Sequence, residues 1–413
     1  MFKLLNVFIL LILTINLSFA QELADYLKIA ESNNPNLKSK YLEYLAAKEK
    51  VGQVGALDEP TISFGYFVSP IETRIGAQRA KISISQMFPW FGTLEIKESI
   101  ETEKSSSIYE VYSDEKNKLF LEVKSLYFEI IELKEKIKLQ NELKEIFESY
   151  KTFAVSKYSN EKGTMVDILR VDILIDNIKT EIEIANNRIV PLESEFNKLL
   201  NRENLNKVEV TGFDTVNSNI LNLYKVDSVW KENPLIRSID YKIKSAKADE
   251  KLAVNEGNPK FGLGLDYAFV SERTDANPAG NGSDVIMPMI TFSLPIYREK
   301  INARKKEAQF KYMSLESRKE EIKNSLFSKF EQTKYEINKS LKMIELYKLQ
   351  IAKTNQSIDL LYSEYSNSGK EFNEVLSMHK SLLRYKIEQL GAMKNYFTSL
   401  AKLDYLTYDV RNK

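Results

Sequence analysis

Cysteine is absent from all 413 residues. An exported chain of this composition can carry no disulfide, no thiolate metal site and no acylated N-terminal cysteine, so any attachment to a membrane must come from the fold itself. Histidine occurs once, at His379. No serine or carboxylate pair stands at nucleophile or metal spacing, and no glycine loop of the phosphate-binding kind is present, so the sequence offers no enzyme chemistry, no metal and no cofactor. Neither sign of charge dominates: 59 basic and 58 acidic residues give a net charge of +1. They are interspersed along the chain, which gives nucleic-acid binding no support. Glycine (14) and proline (10) are scarce for this length, and few breakers in a long chain mean long helices.

The one apolar run of note is at the start. Lys3 supplies a charged end, Leu4 to Leu17 an apolar stretch, and Ser18-Phe19-Ala20 a small-x-small cleavage site. This is the pattern of a signal peptide over residues 1–20, shorter than the roughly 20 apolar residues a spanning helix needs. The mature chain is expected to begin near Gln21, without a lipid anchor. No later stretch qualifies as a spanning helix.

The remainder says nearly the same thing twice. Asn34-Pro35, Ala47-Lys48, Pro60 and Phe64-Gly65 recur in order as Asn233-Pro234, Ala246-Lys247, Pro259 and Leu263-Gly264. Tyr158-Ser159-Asn160 with Asp167 and Leu169 recurs as Tyr365-Ser366-Asn367 with Glu374 and Leu376. A period of about two hundred residues implies two structural repeats filling the mature chain. In each, a pair of runs alternates with period two. Ile62, Phe64, Tyr66 and Val68 are followed by Ile82 and Ile84, and Phe261, Leu263, Leu265, Tyr267 and Phe269 by Ile290, Phe292 and Leu294. Four strands of about seven to ten residues are expected, apolar on one face and small or polar on the other. The loop from Ser271 to Asp284, rich in Asn, Gly and Pro, is expected to be mobile. Met287 and Met289 beside it read as packing residues, not soft-metal ligands.

Between Gly92 and Val155 neither glycine nor proline occurs, and Leu119, Val123, Leu126, Ile130, Leu133, Ile137, Leu143, Ile146 and Tyr150 follow steps of three and four. That is a coiled-coil seam, and roughly 65 residues at 1.5 Å each make a helix of about 100 Å. The chain is expected to turn back around Tyr158 to Gly163 into a second helix, Met165 to about Asn201. The same path should recur from about Ile301 to Tyr365 and from Phe372 to about Tyr408. Asn204 to Val226 is the least regular part.

Four strands apolar on one face admit two solutions. Their apolar faces could meet in a small soluble sandwich with a thin core. Alternatively the apolar faces meet lipid and the small faces a lumen. Four strands cannot close such a barrel, since about eight are needed before its interior holds side chains, so closure demands an oligomer. Two protomers would supply eight strands and three would supply twelve, and only the larger leaves an open pore.

The order of signal peptide, Asn-Pro helix, strand pair and long helix pair, twice over, resembles the TolC-type outer-membrane efflux proteins. The likeness is carried by Asn34-Pro35, Asn233-Pro234, Ser85 to Gly92, Ser293-Leu294-Pro295, and the turns leading into Asp167-Ile168-Leu169 and Glu374-Val375-Leu376. It implies a mainly α fold with a small β part: a homotrimer with a twelve-stranded barrel in outer-membrane lipid and a twelve-helix periplasmic barrel. It also implies a passive exit duct that docks to a periplasmic adaptor and an inner-membrane pump. The rival reading is an exported coiled-coil scaffold or adaptor with no membrane barrel. On the family plan, residues 21–59 form equatorial helices, 60–89 the first strand pair and 90–203 the first long helix pair. Residues 204–258 form a linker with further equatorial helices, 259–295 the second strand pair, and 296–413 the second helix pair with the C-terminus.

The resemblance also assigns residues. A periplasmic constriction falls on Tyr365, Lys370, Glu374 and Ser377, the last two where the family has aspartates and Lys370 where it has arginine. Adaptor-facing helix turns fall on Tyr158, Gly163, Asp167 and Gly369. Glu161 stands where the family typically has glycine, which argues against a tight turn there. Phe88, Trp90 and Phe91 fall where strand becomes helix, at the membrane-water boundary that amphipathic aromatics favour. His379, just past the tip, reads as a surface or seam residue.

Overall fold

The computed structural model describes residues 23–224, 233–368 and 372–408; the expected signal segment lies outside them. Helix α1 covers 23–33 and α2 Pro35–Gly55. Strands β1 (Thr61–Thr73) and β2 (Gly76–Phe88) follow, then helices α3 (Thr93–Ser159) and α4 (Met165–Leu200). After a 3-10 turn at Ile220–Leu223 come α5 (Pro234–Asn255), β3 (Lys260–Ser271), β4 (Val285–Ser293), α6 (Arg298–Ser368) and α7 (Phe372–Thr407). The protein is mostly helical with one small antiparallel sheet.

The helices are as long as the scarcity of breakers requires: 67 residues in α3 and 71 in α6. The seam of α3 departs from expectation at one step. Phe147, not Ile146, is buried between Leu143 and Tyr150, and Ile146 is exposed. From Leu143 the burial runs by steps of four and three through Phe147, Tyr150 and Ala154, which follows the 3.6-residue turn.

The four strands form one sheet in the order β1-β2-β3-β4, every pair antiparallel. Three are longer than expected, with 13 residues in β1, 13 in β2 and 12 in β3, while β4 has 9. The physical reason is a pair of register shifts, between Tyr66 and Ile71 and between Gln78 and Ala80. Each interrupts the alternation without ending the strand, as bulges do. Both strand prolines, Pro70 and Pro288, lie on edge strands β1 and β4, where a missing donor costs no ladder bond. Arg74-Ile75 joins β1 to β2, and Gly76 closes it at φ +132°, where a Cβ would lie 1.9 Å from the Ser271 carbonyl oxygen. The loop expected to be mobile is cross-braced. Asn281 accepts from the Arg273 backbone N–H at 2.8 Å and donates to its carbonyl at 3.2 Å, while Gly282 N–H donates to Ile75 at 2.7 Å.

The described chain makes two compact units. One holds 23–40, Tyr112–Pro234 and Lys323 onward; the other holds Tyr41–Val111 and Leu235–Ile322. In the first, one core gathers Leu143, Phe147, Ile168, Val171, Ile175, Val375 and Leu376. Another gathers Leu119, Val123, Ile130, Leu192, Phe196 and Val208. Residues 204–219 have no helix or strand, as expected, yet Val208 is fully buried and Lys134 Nζ donates to its carbonyl at 2.6 Å.

The two Asn-Pro motifs have a shared structural job. Asn34 caps α2, accepting from Leu37 N–H at 3.0 Å, and its amide donates to the Leu199 carbonyl at 2.9 Å. Asn233, buried, donates to the Leu406 carbonyl at 3.1 Å. In each case an amide takes up a carbonyl that the end of a long helix leaves unsatisfied, beside a proline pre-set for the first helical position. In the second unit, α3 and α5 approach over small side chains: Ser107 and Ser238 share a buried 2.9 Å hydrogen bond, and Ser245 donates to Ile100.

Candidate functional site

The register of the sheet sorts its side chains without ambiguity. Ile62 pairs with Ile84, Ile84 with Leu265, Leu263 with Ile290 and Phe261 with Phe292, so all share one face. That face is bare: Ile62 is 70% exposed, Phe64 69% and Ile290 67%. The opposite face carries Ser63, Ser83, Asp266, Ala268 and Thr291. There Lys81 pairs with Asp266, whose other carboxylate oxygen is buried without a partner. Gly262 and Gly264 leave grooves on this face. Met289 Cε lies 3.3 Å from where a Cβ on Gly264 would be, and Met87 Sδ takes the same place over Gly262. These methionines pack against glycine. Among the described residues no group of three His, Asp or Glu side chains could hold a metal ion. No described helix is long and apolar enough to cross a membrane.

At the end of β2 the expected aromatics do come together, with a partner that periodicity assigned only to a strand face. Phe88 stacks on Phe261 at 5.4 Å, Phe91 meets the same ring at 5.7 Å, and Trp90 packs edge-on to Phe91. Gly92 turns the chain at φ +77°. The Asn255 amide then secures the start of α3 by donating to the Phe91 carbonyl at 3.0 Å and to Thr93 Oγ1 at 3.2 Å.

The turn between α3 and α4 is tight, contrary to the expectation drawn from Glu161. That residue itself takes the left-handed conformation, φ 60°, and Lys162 N–H closes onto the Lys157 carbonyl at 2.8 Å. A Cβ on Gly163 would lie only 3.1 Å from that of Lys157, so the chain is closely packed there too. Asp167 is committed to a capping box. Its carboxylate accepts from Thr164 N–H and Oγ1, while Thr164 Oγ1 accepts from Asp167 N–H. The Thr164-x-x-Asp167 spacing carried this signal in the sequence. Tyr158 is half exposed.

Of the constriction residues, Glu374 and Ser377 are exposed on the first turns of α7, while Phe372, Val375, Leu376 and His379 face the core. The N-terminal turn of a helix favours the Glu374 carboxylate. Lys370 and Gly369 lie outside the described residues, and of Tyr365 only the helical backbone of α6 is described. His379 is a seam residue. It is buried, its Nε2 hydrogen-bonds with Tyr150 Oη at 2.9 Å, and its Nδ1 has no partner. Burial first, then the Lys386 charge, hold its pKa below the ordinary value. Burial first, then Tyr362, pushes Tyr150 up to about 12.

No family model matches the sequence. The chain is 22% identical to Outer membrane protein TolC of Salmonella enteritidis over 94% of its own length and 82% of that protein. Its fold matches the Vibrio cholerae outer membrane protein VceC with a TM-score of 0.77 at 11% identity, covering 94% of this chain and 96% of that one. It also matches the open state of the Neisseria gonorrhoeae MtrE outer membrane channel with a TM-score of 0.73 at 16% identity, covering 94% and 88%. The class is therefore that of the outer-membrane channel fold. Its sequence is similar to TolC across nearly its whole length, as the ordered Asn-Pro, strand and helix-turn segments had indicated.

Proposed function

We propose that the chain forms the outer-membrane exit duct of a tripartite efflux pump, a passive channel from periplasm and inner-membrane pump to the exterior. One observation carries this reading: a four-stranded sheet with a bare apolar face, a small-polar opposite face and both edge strands, β1 and β4, unpaired among the described residues. A soluble protein seldom leaves such a face in water, and unpaired edges invite strand addition. The TolC likeness supplies the context in which both are satisfied. Three copies, edge to edge, make twelve strands with the apolar face in lipid.

On this reading the chain is two structural repeats. The segments 60–89 and 259–295 lie in the outer membrane, 90–203 and 296–413 make the periplasmic helix pairs, and 21–59 with 204–258 lie at the equator. Tyr158, Gly163, Asp167 and Gly369 mark the turns offered to a periplasmic adaptor. Tyr365, Lys370, Glu374 and Ser377 sit at the constriction. Because Ser377 is not an acid, a trimer has one carboxylate ring, Glu374, which attracts cations and repels anions and gates weakly. The energy for transport comes from the pump, since the chain has no nucleotide loop. Recording single-channel currents from the purified protein in a planar bilayer tests the reading. Stable steps of conductance support it; a soluble protein that leaves the bilayer silent favours the exported coiled-coil scaffold.

A further inference from the structure

In the first unit, α4 and α7 enclose an open cleft of about 610 Å³. Its wall on α7 is a single stripe, Asn373, Ser377, Lys380, Ser381 and Arg384, spaced so that every member lies on one helical face. From α4 it takes Arg170, Ile173 and Leu174, with Leu376 completing an aliphatic floor. Three cations line the cleft and no carboxylate does. Among the described residues Asp167 is the only acid paired with any of them, 3.9 Å from Arg170 and already committed to its capping box. Among the described residues Lys380 and Arg384 have no ion-pair partner; Arg384 lies over the ring of its neighbour Tyr385 and donates to that residue's hydroxyl at 3.4 Å. In a chain whose charges otherwise balance, three cations are gathered here around apolar carbon, with hydroxyl and amide donors between them.

We propose that this cleft binds a small organic anion with an apolar body, a carboxylate, sulfate or sulfonate on a hydrocarbon frame. The anionic group meets Lys380 and Arg384, with Ser377 and Ser381 as further donors, and Arg170 closes the opposite wall. The hydrocarbon lies on Ile173, Leu174 and Leu376. Guanidinium and ammonium contacts to an anion are among the stronger hydrogen bonds, and the exposed Ile173 side chain gains cover when the body docks. Nothing in the cleft would hold a cation. The binding stands apart from the duct reading.

The test uses the full-length protein in lipid nanodiscs and the membrane-impermeant fluorescent dye pyranine, an aromatic sulfonate, with binding read as anisotropy against empty nanodiscs. Saturable binding that weakens at least about tenfold in Lys380→Gln/Arg384→Gln, the factor expected for one lost charge-assisted contact, supports the site. Arg170→Gln should also weaken it, and raised salt should do so for the wild type. Unchanged affinity in the double variant overturns the proposal. So does equal affinity for a cationic aromatic dye of the same size, or a cleft that takes an acidic helical peptide and not pyranine. All three side chains are exposed, and single-channel currents of the same variants report on the duct separately. Currents without pyranine binding sink this inference alone; pyranine binding without currents sinks the duct and keeps the site.

Discussion

Ile290 and Thr291 are neighbours in β4 that point to opposite faces of the sheet, and one lysine at each position separates a barrel from a soluble sheet. Ile290 pairs with Leu263 on the bare apolar face, and Thr291 pairs with Gly262 on the other. If the apolar face meets lipid, Ile290→Lys near the strand's middle costs about 2 to 4 kcal/mol per copy, or about 6 to 12 kcal/mol across three copies. That equals or exceeds the net stability of many domains. Thr291→Lys, facing water and a glycine, should cost under about 1 kcal/mol. The assay is the yield of folded, heat-modifiable protein in the outer-membrane fraction, with both variants expressed equally. The account predicts that Ile290→Lys is nearly absent from that fraction and Thr291→Lys is close to wild type. In a soluble scaffold with the face in water, Ile290→Lys would be harmless. Equal tolerance of both lysines, or a heavier loss at Thr291, refutes the reasoning.

Three further outcomes are expected. Asn34→Ala removes a cap and a buried tie to Leu199, at about 2 kcal/mol, and hydrogen exchange should show earlier opening at the start of α2 and the end of α4. For His379 the folded pKa is depressed below the ordinary 6.5, so the unfolded chain takes the proton first. The stability it confers is complete above that value and declines as pH falls below it. Denaturation of the wild type at about pH 5 and about pH 8 should show a loss that His379→Gln lacks. Glu374→Gln should lower the cation selectivity of single channels, and an unchanged reversal potential under a salt gradient would remove Glu374 from the constriction.

What the sequence disclosed followed from periodicity. The run without glycine or proline before Val155 announced α3, and the alternation from Ile62 to Val68 announced both the strand and its face. Strand ends were less legible, because the bulges after Tyr66 and at Gln78 break the alternation while pairing continues. Contacts distant in the chain could not be read at all: the Asn34 amide reaching Leu199, or Tyr150 meeting His379, depends on helices returning past one another. The turn at Glu161 misled because a missing glycine was weighed alone. Glu161 itself takes the left-handed conformation, and the Thr164-Asp167 capping box starts α4 just beyond it.

If copies of this chain close the sheet into a barrel in the outer membrane, cell fractionation followed by electron microscopy of the solubilised particle should show three-fold symmetry in material from the outer-membrane fraction. A soluble monomer from the periplasm would contradict that closure.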